Sequence, residues 1–177
     1  MSKPVAVVIG VGPGLGAALV RRYAAEGYAV AAVARRTEML DEITAGIDDC
    51  RSYTCDTTDG DAVEQTHAAI RADLGPVAAL LYNAGGGTRG TISEIDAATF
   101  EQSWQVNALG LFHWAKVVSP AMIEAGHGIV GITGATASLR GKPFTTGFAA
   151  AKAAQRSLAQ SLARDLGPKG VHVFYAI

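Results

Sequence analysis

The chain has 177 residues, of which 49% are hydrophobic and 18% are charged. This length favours one domain with a core of its own, and the apolar fraction excludes a disordered chain. The net charge of −1 gives no electrostatic reason to expect a nucleic acid as partner.

The sequence offers no sign of a membrane or a metal. No apolar run reaches the roughly 18 residues of a membrane helix, and Lys3-Pro4 leads straight into a short strand instead of a secretory signal. We therefore expect a cytoplasmic protein with no membrane partner. The cysteines, Cys50 and Cys55, favour reduced thiols over a disulfide, and a metal site lacks ligands.

The first predicted elements are a strand, a glycine turn and a helix. An apolar, β-branched run at residues 5–9 indicates a buried strand. It is followed by four glycines, Gly10, Gly12, Gly14 and Gly16. Glycine lets a phosphate approach the backbone, and a helix N-terminus attracts it. The turn predicts a site for a diphosphate-bearing cofactor, and a tight turn without ligand is the alternative.

After these glycines, Leu15, Ala18, Leu19 and Tyr23 recur at helical spacing and predict a helix. Further strands are predicted at residues 28–34, 51–54, 77–82, 129–133 and 171–175. Further helices are predicted at residues 38–45, 60–74, 97–125 and 145–166. The stripe of the helix at 97–125 contains Phe100, Trp104, Ala108, Leu111, Ala115, Val118 and Met122.

This alternation predicts an α/β fold, a doubly wound parallel sheet with helices on both faces. Ligands of such sheets bind beyond the carboxyl ends of the strands. The loops after strands one, two, four and five should therefore gather at one edge. The four histidines show no ligand spacing and are expected at the surface or its boundary.

Two arginines, Arg35 and Arg36, directly follow the second predicted strand. In dinucleotide-binding sheets an acidic residue at this point binds the adenosine ribose and selects NAD. Arginine pairs with a phosphate instead, and it is unfavourable at a helix N-terminus without a bound anion. The pair predicts NADP as the cofactor, with NAD possible, and a solvated charge pair is the alternative.

Four motifs occur in order along the chain. They are the spacing G-x-x-x-G-x-G at Gly10, Gly14 and Gly16, then Asn83-Ala84-Gly85, then Asn107, and then Lys152. Together they resemble the short-chain dehydrogenase/reductase family over almost the whole chain, although Tyr82 stands where the family has a first asparagine. Members usually continue through a substrate lid and a seventh strand, so we expect residues 1–177 to be one incomplete domain.

The resemblance implies a Rossmann-type fold, a three-layer α/β/α sandwich, and a carbonyl or alcohol as substrate. It also implies a homodimer or homotetramer through the two long helices. Besides the arginines, it implies cofactor contacts at Gly10, Gly14, Leu15, Gly16, Asp56, Asn83, Ala84, Gly85 and Lys152. For Asp56 the contact is the adenine amino group, and turn chemistry accounts for this residue equally well.

The resemblance implies catalytic roles for Asn107 and Lys152. Lys152 would bind the nicotinamide ribose, and Asn107 would support a water relay to it. Asn107 lies on an apolar stripe, where an unpaired amide costs about 1–3 kcal/mol. A buried amide that satisfies local backbone is the alternative.

The family's Tyr-x-x-x-Lys motif and its serine are altered in this chain. The tyrosine position holds Phe148, and the serine position, thirteen residues earlier, holds Ala135. The first hypothesis is an NADP-dependent oxidoreductase whose proton comes from a water or a nearby hydroxyl. The candidate hydroxyls belong to Thr133, Thr136, Ser138, Thr145 and Thr146. The second hypothesis is a cofactor-binding sensor or partner subunit that does not catalyse.

Overall fold

Six parallel strands form one sheet in the computed structural model, which describes residues 3–87 and 89–177. The strand order is β3-β2-β1-β4-β5-β6, so the chain reverses direction across the sheet between β1 and β4. The strands are β1 (Val5–Ile9), β2 (Ala29–Ala34), β3 (Cys50–Thr54), β4 (Val77–Tyr82), β5 (Gly128–Thr133) and β6 (Val171–Ala176).

Helices cover both faces of this sheet. They are α1 (Leu15–Ala25), α2 (Thr37–Thr44), α3 (Gly60–Asp73), α4 (Ala97–Trp104), α5 (Gly110–Ala125) and α6 (Thr146–Leu166). One core cluster joins α3, α5 and α6 to one face, and a second joins α1 and α2 to the other. The predicted doubly wound sheet with helices on both faces is therefore confirmed.

The central strand β1 shows why the sequence indicated a sheet buried on both sides. Val5, Val7 and Ile9 belong to one core cluster, whereas Ala6 and Val8 belong to the other. Successive side chains of a strand point to opposite faces. A strand covered on both faces must therefore be apolar at every position.

The long helix predicted at 97–125 is divided in two. Residues Gln105–Leu109 form a π-helical segment between α4 and α5. A π turn makes i→i+5 hydrogen bonds, so an apolar stripe cannot keep one register across it. Phe100 and Trp104 belong to the predicted stripe but are 42% and 43% exposed. The stripe therefore does not run into the core as one continuous face, and the prediction of a single helix over 97–125 was wrong.

The spacing that predicts α1 does not mark its most buried residues. Leu15 is 53% exposed, whereas Gly16, Ala17 and Val20 are buried. A Cβ on Gly16 would lie 2.7 Å from Val11 Cα. The helix thus contacts the turn through its smallest residues, and the larger side chain turns outward.

One histidine lies deeper than predicted. His67 is only 8% exposed, because it follows the buried Val63 by one helical turn on α3. Burial lowers the pKa of this imidazole. Within the described part of the chain, no helix combines the length and apolarity needed to cross a membrane.

Candidate active site

A cavity of about 360 Å³ opens at the carboxyl ends of β1 to β4, and we call it the first cavity. Its lining includes seven of the residues predicted to bind a cofactor, namely Gly10, Arg35, Arg36, Asp56, Asn83, Ala84 and Gly85. Gly14, Leu15 and Gly16 follow directly on two further lining residues, Gly12 and Pro13. The strand order thus brings loops that are distant in sequence to one opening.

The glycines of the first turn serve different purposes. Gly10 has φ +83°, and a Cβ there would lie 2.5 Å from Ala84 Cα, so this backbone packs directly on the end of β4. A Cβ on Gly14, by contrast, would meet no atom within 4 Å. No side chain caps α1, and its first turn carries no acidic residue. This end of α1 can therefore take an anion.

Arg35 and Arg36 are exposed on the rim of the first cavity. Among the side chains that the structure describes, neither forms an ion pair. These two guanidinium groups lie beside a helix end that can take an anion, and Asp56 is the one carboxylate among the described lining residues. The positive groups therefore outnumber the negative ones at this cavity.

Asp56 lines the same cavity and forms a local turn. Its Oδ1 accepts hydrogen bonds from the Thr58 backbone N–H at 2.9 Å and from the Thr58 hydroxyl at 2.8 Å. The backbone N–H is the main cause of the lowered pKa of Asp56, and the hydroxyl and the charge of Arg35 lower it further. The turn chemistry that the sequence allowed is therefore present.

Asn83 connects three strand ends through its side chain. Its Nδ2 donates to Gly10 O at 2.9 Å, and its Oδ1 accepts from the Thr133 hydroxyl at 3.0 Å. Gly10 follows β1, Asn83 follows β4 and Thr133 ends β5. Because both polar atoms of the amide are already used within the protein, we expect this residue to meet a ligand through its main chain.

Lys152 lies beside the first cavity and is almost fully buried, with 4% of its surface exposed. Its Nζ donates to Thr133 O and to Gln155 Oε1, both at 2.9 Å. Burial lowers the pKa of this ammonium to about 8. An ammonium has three donors, so one N–H remains for a ligand.

Asn107 lies in the π-helical segment and has no exposed surface. Its Nδ2 donates to Gly86 O and Ser103 O, but its Oδ1 has no partner among the described residues. A Cβ on Gly85 would lie 3.5 Å from this Oδ1 and 3.6 Å from Lys152 Nζ. The missing side chain at Gly85 thus leaves an opening bordered by one unpaired acceptor and one donor.

Gln155 is a site residue that the sequence reasoning missed. It is fully buried, and its Nε2 donates to Asn107 O at 2.8 Å while its Oε1 accepts from Lys152 Nζ. The signal was present, because a glutamine three residues after Lys152 shares its helix face. The amide joins the lysine directly to the π-helical segment.

A second cavity, of about 320 Å³, is lined by Gly87, Arg89, Ala135, Thr136, Ala137, Arg140, Lys142, Phe144, Thr145 and Phe148. It brings together Ala135 and Phe148, the two positions at which the sequence predicts a departure from the family's catalytic motif. A Cβ on Gly87 would lie 2.6 Å from Phe148 Cδ2, so the ring packs directly on backbone. Lys152 Nζ is 6.0 Å from the centroid of this ring.

The five candidate hydroxyls differ in their availability. Four of them already donate, Thr133 to Asn83, Ser138 to Ala135 O, Thr145 to Lys142 O and Thr146 to Pro143 O. The Thr136 hydroxyl makes no hydrogen bond to another described residue, and Thr136 lines the second cavity. It is therefore the hydroxyl most open to a bound molecule.

The strand order β3-β2-β1-β4-β5-β6, with a glycine turn and a helix N-terminus at the carboxyl edge, is typical of dinucleotide-binding α/β proteins. The family is then shown by comparison. Residues 4–176 match the short chain dehydrogenase family, and the chain belongs to it. The resemblance that the four motifs indicated is confirmed.

Three relatives illustrate the likeness. Sorbitol-6-phosphate 2-dehydrogenase of Escherichia coli strain K12 is 35% identical over 176 residues, which cover 96% of this chain and 68% of that protein. NADPH-dependent 1-acyldihydroxyacetone phosphate reductase of Saccharomyces cerevisiae is 32% identical over 181 residues, which cover 99% of this chain and 60% of that protein. The crystal structure of NAD⁺-bound xylitol dehydrogenase superposes with a TM-score of 0.93 at 30% identity. The superposition covers 98% of this chain and 69% of that one.

The chain therefore spans about two thirds of the length of these relatives, or somewhat less. Their names include both NADPH and NAD⁺. Family membership accordingly supports a nicotinamide cofactor without choosing between the two.

Proposed function

We propose that this chain is an NADP-dependent oxidoreductase that transfers a hydride between the cofactor and a carbonyl or alcohol, with a proton donor other than tyrosine. The observation that carries the proposal is the first cavity. It combines a helix end that can take an anion, two arginines without an ion pair among the described side chains, and the opening at Gly85. Family membership supports the reaction class.

The residues of the first cavity fit the parts of such a cofactor. The backbone around Gly14 would hold the diphosphate, since a free helix N-terminus binds phosphate. Arg35 and Arg36 would hold the 2′-phosphate. Lys152 Nζ and Asn107 Oδ1 would bind ribose hydroxyls at the Gly85 opening. When bound, the nicotinamide supplies or accepts the hydride.

The proton must come from a group beside one of the two cavities. Phe148 and Ala135 carry no exchangeable proton, whereas the Thr136 hydroxyl is free to donate. A water held between Lys152 Nζ and Asn107 Oδ1 is the other source. A well-matched general acid contributes about 10²–10⁴ in rate. Because neither source is a phenol beside a lysine, we expect slow turnover.

A dinucleotide-binding protein without activity is the second candidate. Gln155 Oε1 accepts a hydrogen bond from Lys152 Nζ, and an amide cannot pass a proton onward. This contact favours a lysine that binds cofactor without taking part in proton transfer. NADPH binding without turnover of any compound in a carbonyl panel would support this candidate.

The cofactor assignment is tested by titrating NADPH and NADH, followed by fluorescence. We expect NADPH to bind more tightly by about 10–100-fold, because a charge-assisted hydrogen bond contributes about 1.5–3 kcal/mol. In the variant Arg35→Ala/Arg36→Ala the two affinities should converge, with that for NADH nearly unchanged.

The matched control is Arg21→Ala/Arg22→Ala, which removes the same charge from the exposed face of α1. It should keep the preference of the wild type. Equal affinities for the two cofactors that respond neither to the Arg35/Arg36 substitutions nor to salt would overturn the assignment.

A further inference from the structure

Three cations border the second cavity. They are Arg89, Arg140 and Lys142, all exposed to solvent, and the lining contains no carboxylate. The net charge of the whole chain is only −1, so the composition does not require this local excess of positive charge. A concave surface lined by one sign of charge concentrates ions of the opposite sign.

These cations have no carboxylate partner among the described side chains. None of the three forms an ion pair with another side chain in residues 3–87 and 89–177. Glu94 lies near the loop of Arg89, but its Oε2 accepts from the Thr91 backbone N–H at 2.8 Å and from the Thr91 hydroxyl at 2.9 Å. The positive charge at the cavity is therefore available to a ligand.

Two contacts hold the segment of Arg89 against the segment that carries Arg140 and Lys142. Gly90, the next residue, donates its backbone N–H to Phe144 O at 2.9 Å and forms a bridge with Thr145. The guanidinium carbon of Arg89 also lies 5.9 Å from the centroid of the Phe144 ring. The segment with Arg89 and the segment with Arg140 and Lys142 are thus fastened together at one opening.

The N-terminus of α6 adds to this field. Thr145 is its N-cap and lines the cavity, no side chain caps the helix, and its first turn has no acidic residue. The positive end of a helix of 21 residues therefore faces the same opening as the three cations. Two independent sources of positive potential, side chains and a helix dipole, coincide there.

The remaining lining is small or aromatic. Phe144 and Phe148 supply ring faces, and Ala135 and Ala137 supply methyl groups. This surface suits a carbon skeleton, whereas the cations suit an oxyanion, to which arginine can donate two parallel hydrogen bonds.

We propose that the second cavity binds the anionic group of the substrate, so that the substrate is a small carbonyl or alcohol compound carrying a phosphate or a carboxylate. This inference rests on the proposed function for the reaction, but anion binding itself needs no turnover. A phosphate monoester carries close to two negative charges at neutral pH. We therefore expect phosphate to bind more tightly than carboxylate.

The test compares matched anionic and neutral carbonyl compounds by calorimetry and by NMR. The pairs are dihydroxyacetone phosphate with dihydroxyacetone, and levulinate with 2-pentanone. Because the first cavity is also cationic, titrations are made in protein saturated with NADPH and, separately, in Arg35→Ala/Arg36→Ala. We expect the anionic member of each pair to bind about 10–100-fold more tightly, with shifts at residues 135–148 and weakening by salt.

The variant Arg89→Gln/Arg140→Gln should lose this difference, and Lys142→Gln alone should reduce it. All three residues are exposed, so both variants should keep the melting temperature of the wild type. The control Arg21→Gln/Arg22→Gln changes the net charge equally on α1 and should bind anions as the wild type does.

Equal binding of anionic and neutral compounds would overturn the inference. So would anion binding that survives in Arg89→Gln/Arg140→Gln but disappears in Arg35→Ala/Arg36→Ala, or that falls equally in the control. The NADPH titration is read separately. If NADPH binds normally and anions do not, the inference alone fails, and if anions bind but NADPH does not, only the cofactor assignment fails.

Discussion

Phe148 and Lys152 lie one turn apart on α6 and face different surroundings. The ring of Phe148 borders the second cavity, whereas the ammonium of Lys152 is buried between Thr133 O and Gln155 Oε1. At this scale the chemistry depends on single atoms, because the Phe148 ring lacks only the hydroxyl oxygen that would make it a proton donor.

We predict that Phe148→Tyr with Ala135→Ser creates or raises NADPH-dependent reduction of small carbonyl compounds. The added phenol would lie near Lys152, whose charge lowers a phenol pKa, and the gain should fall within about 10²–10⁴. The measurement is loss of reduced-nicotinamide absorbance across a panel of ketones and aldehydes.

The control Phe144→Tyr adds the same oxygen in the same cavity, away from the tyrosine position of the family. It should not raise the rate, and adding Lys152→Met to the double variant should remove the gain. If the wild type turns over well and Phe148→Tyr leaves the rate unchanged or lower, position 148 says nothing about the proton donor.

The buried ammonium of Lys152 predicts a pH dependence of stability. Its pKa is lowered from 10.5 to about 8, so between these values the unfolded chain binds a proton that the native chain lacks. The free energy of unfolding should therefore rise with pH in this window, by up to about 3 kcal/mol in total. Below about pH 8 the Lys152 amine is protonated in both the native and the unfolded chain, so it adds no pH dependence to the free energy of unfolding.

Urea unfolding at pH 7, 8 and 9 would measure this effect as the difference between wild type and Lys152→Met. The range ends at pH 9 because burial raises the pKa of Cys50 from 9.0 to about 11, which opposes the rise at higher pH. The control Lys116→Met removes an exposed lysine of α5. Identical pH slopes in all three proteins would contradict the prediction.

At the scale of elements, the π-helical segment Gln105–Leu109 organises the site. Two of its main-chain carbonyls accept hydrogen bonds from buried side chains, Val106 O from the Tyr82 hydroxyl and Asn107 O from Gln155 Nε2. Tyr82 ends β4 and Gln155 lies on α6, so the segment is joined to the sheet and to the second long helix. π turns of this kind occur frequently at functional sites.

Tyr82→Phe should destabilise the protein by about 1 kcal/mol, because it leaves the half-buried Val106 carbonyl without this donor. Tyr82 has no exposed surface, and its hydroxyl also lies 3.3 Å from Thr57 Oγ1. Hydrogen exchange should accelerate most at residues 105–109, and urea unfolding gives the free energy.

Tyr28→Phe is the control, because the Tyr28 hydroxyl makes no hydrogen bond to another described residue. Its stability should remain within about 0.5 kcal/mol of the wild type. An equal loss in both variants, with unchanged exchange at residues 105–109, would show that the contact does not hold the segment.

The elements and the site differ in how far the sequence predicts them. Continuous apolar runs such as 77–82 and the glycine spacing are local signals, so a doubly wound parallel sheet with a ligand site at the carboxyl ends of its strands could be expected. The π-helical segment Gln105–Leu109 could not be predicted, because its residues are common in ordinary α-helices. The side chains that hydrogen-bond to it, Tyr82 and Gln155, are also distant from it in sequence. The second cavity depends likewise on contacts between loops, such as Gly90 with Phe144.

At the scale of the whole molecule, α4 and α5 expose several large apolar side chains. Trp104 is 43% exposed and Phe112 is 47% exposed, and Phe100 and Ile123 are also open to solvent. Grouped apolar side chains on a surface mark interaction sites, and homo-oligomers most often pair through a two-fold axis. This surface supports the subunit interface that the two long helices suggested.

We predict that the wild type is a dimer or tetramer by light scattering at tens of micromolar, and that Trp104→Ser/Phe112→Ser shifts it toward the monomer. The control Leu139→Ser replaces an apolar residue that is 58% exposed and lies between β5 and α6, away from α4 and α5 in sequence. It should leave the mass unchanged. A monomeric wild type, or an equal shift in the control, would contradict the prediction.

The order of the strands also has a consequence for synthesis on the ribosome. The lining of the first cavity ends at Val106, whereas that of the second extends to Phe148, 42 residues later. At about 5–20 residues per second, all of the chain that forms the first cavity is made seconds before the second can be completed. A nascent chain would therefore form the phosphate-binding half of the proposed nucleotide site first, and it would gain the Lys152 contact only when α6 is made.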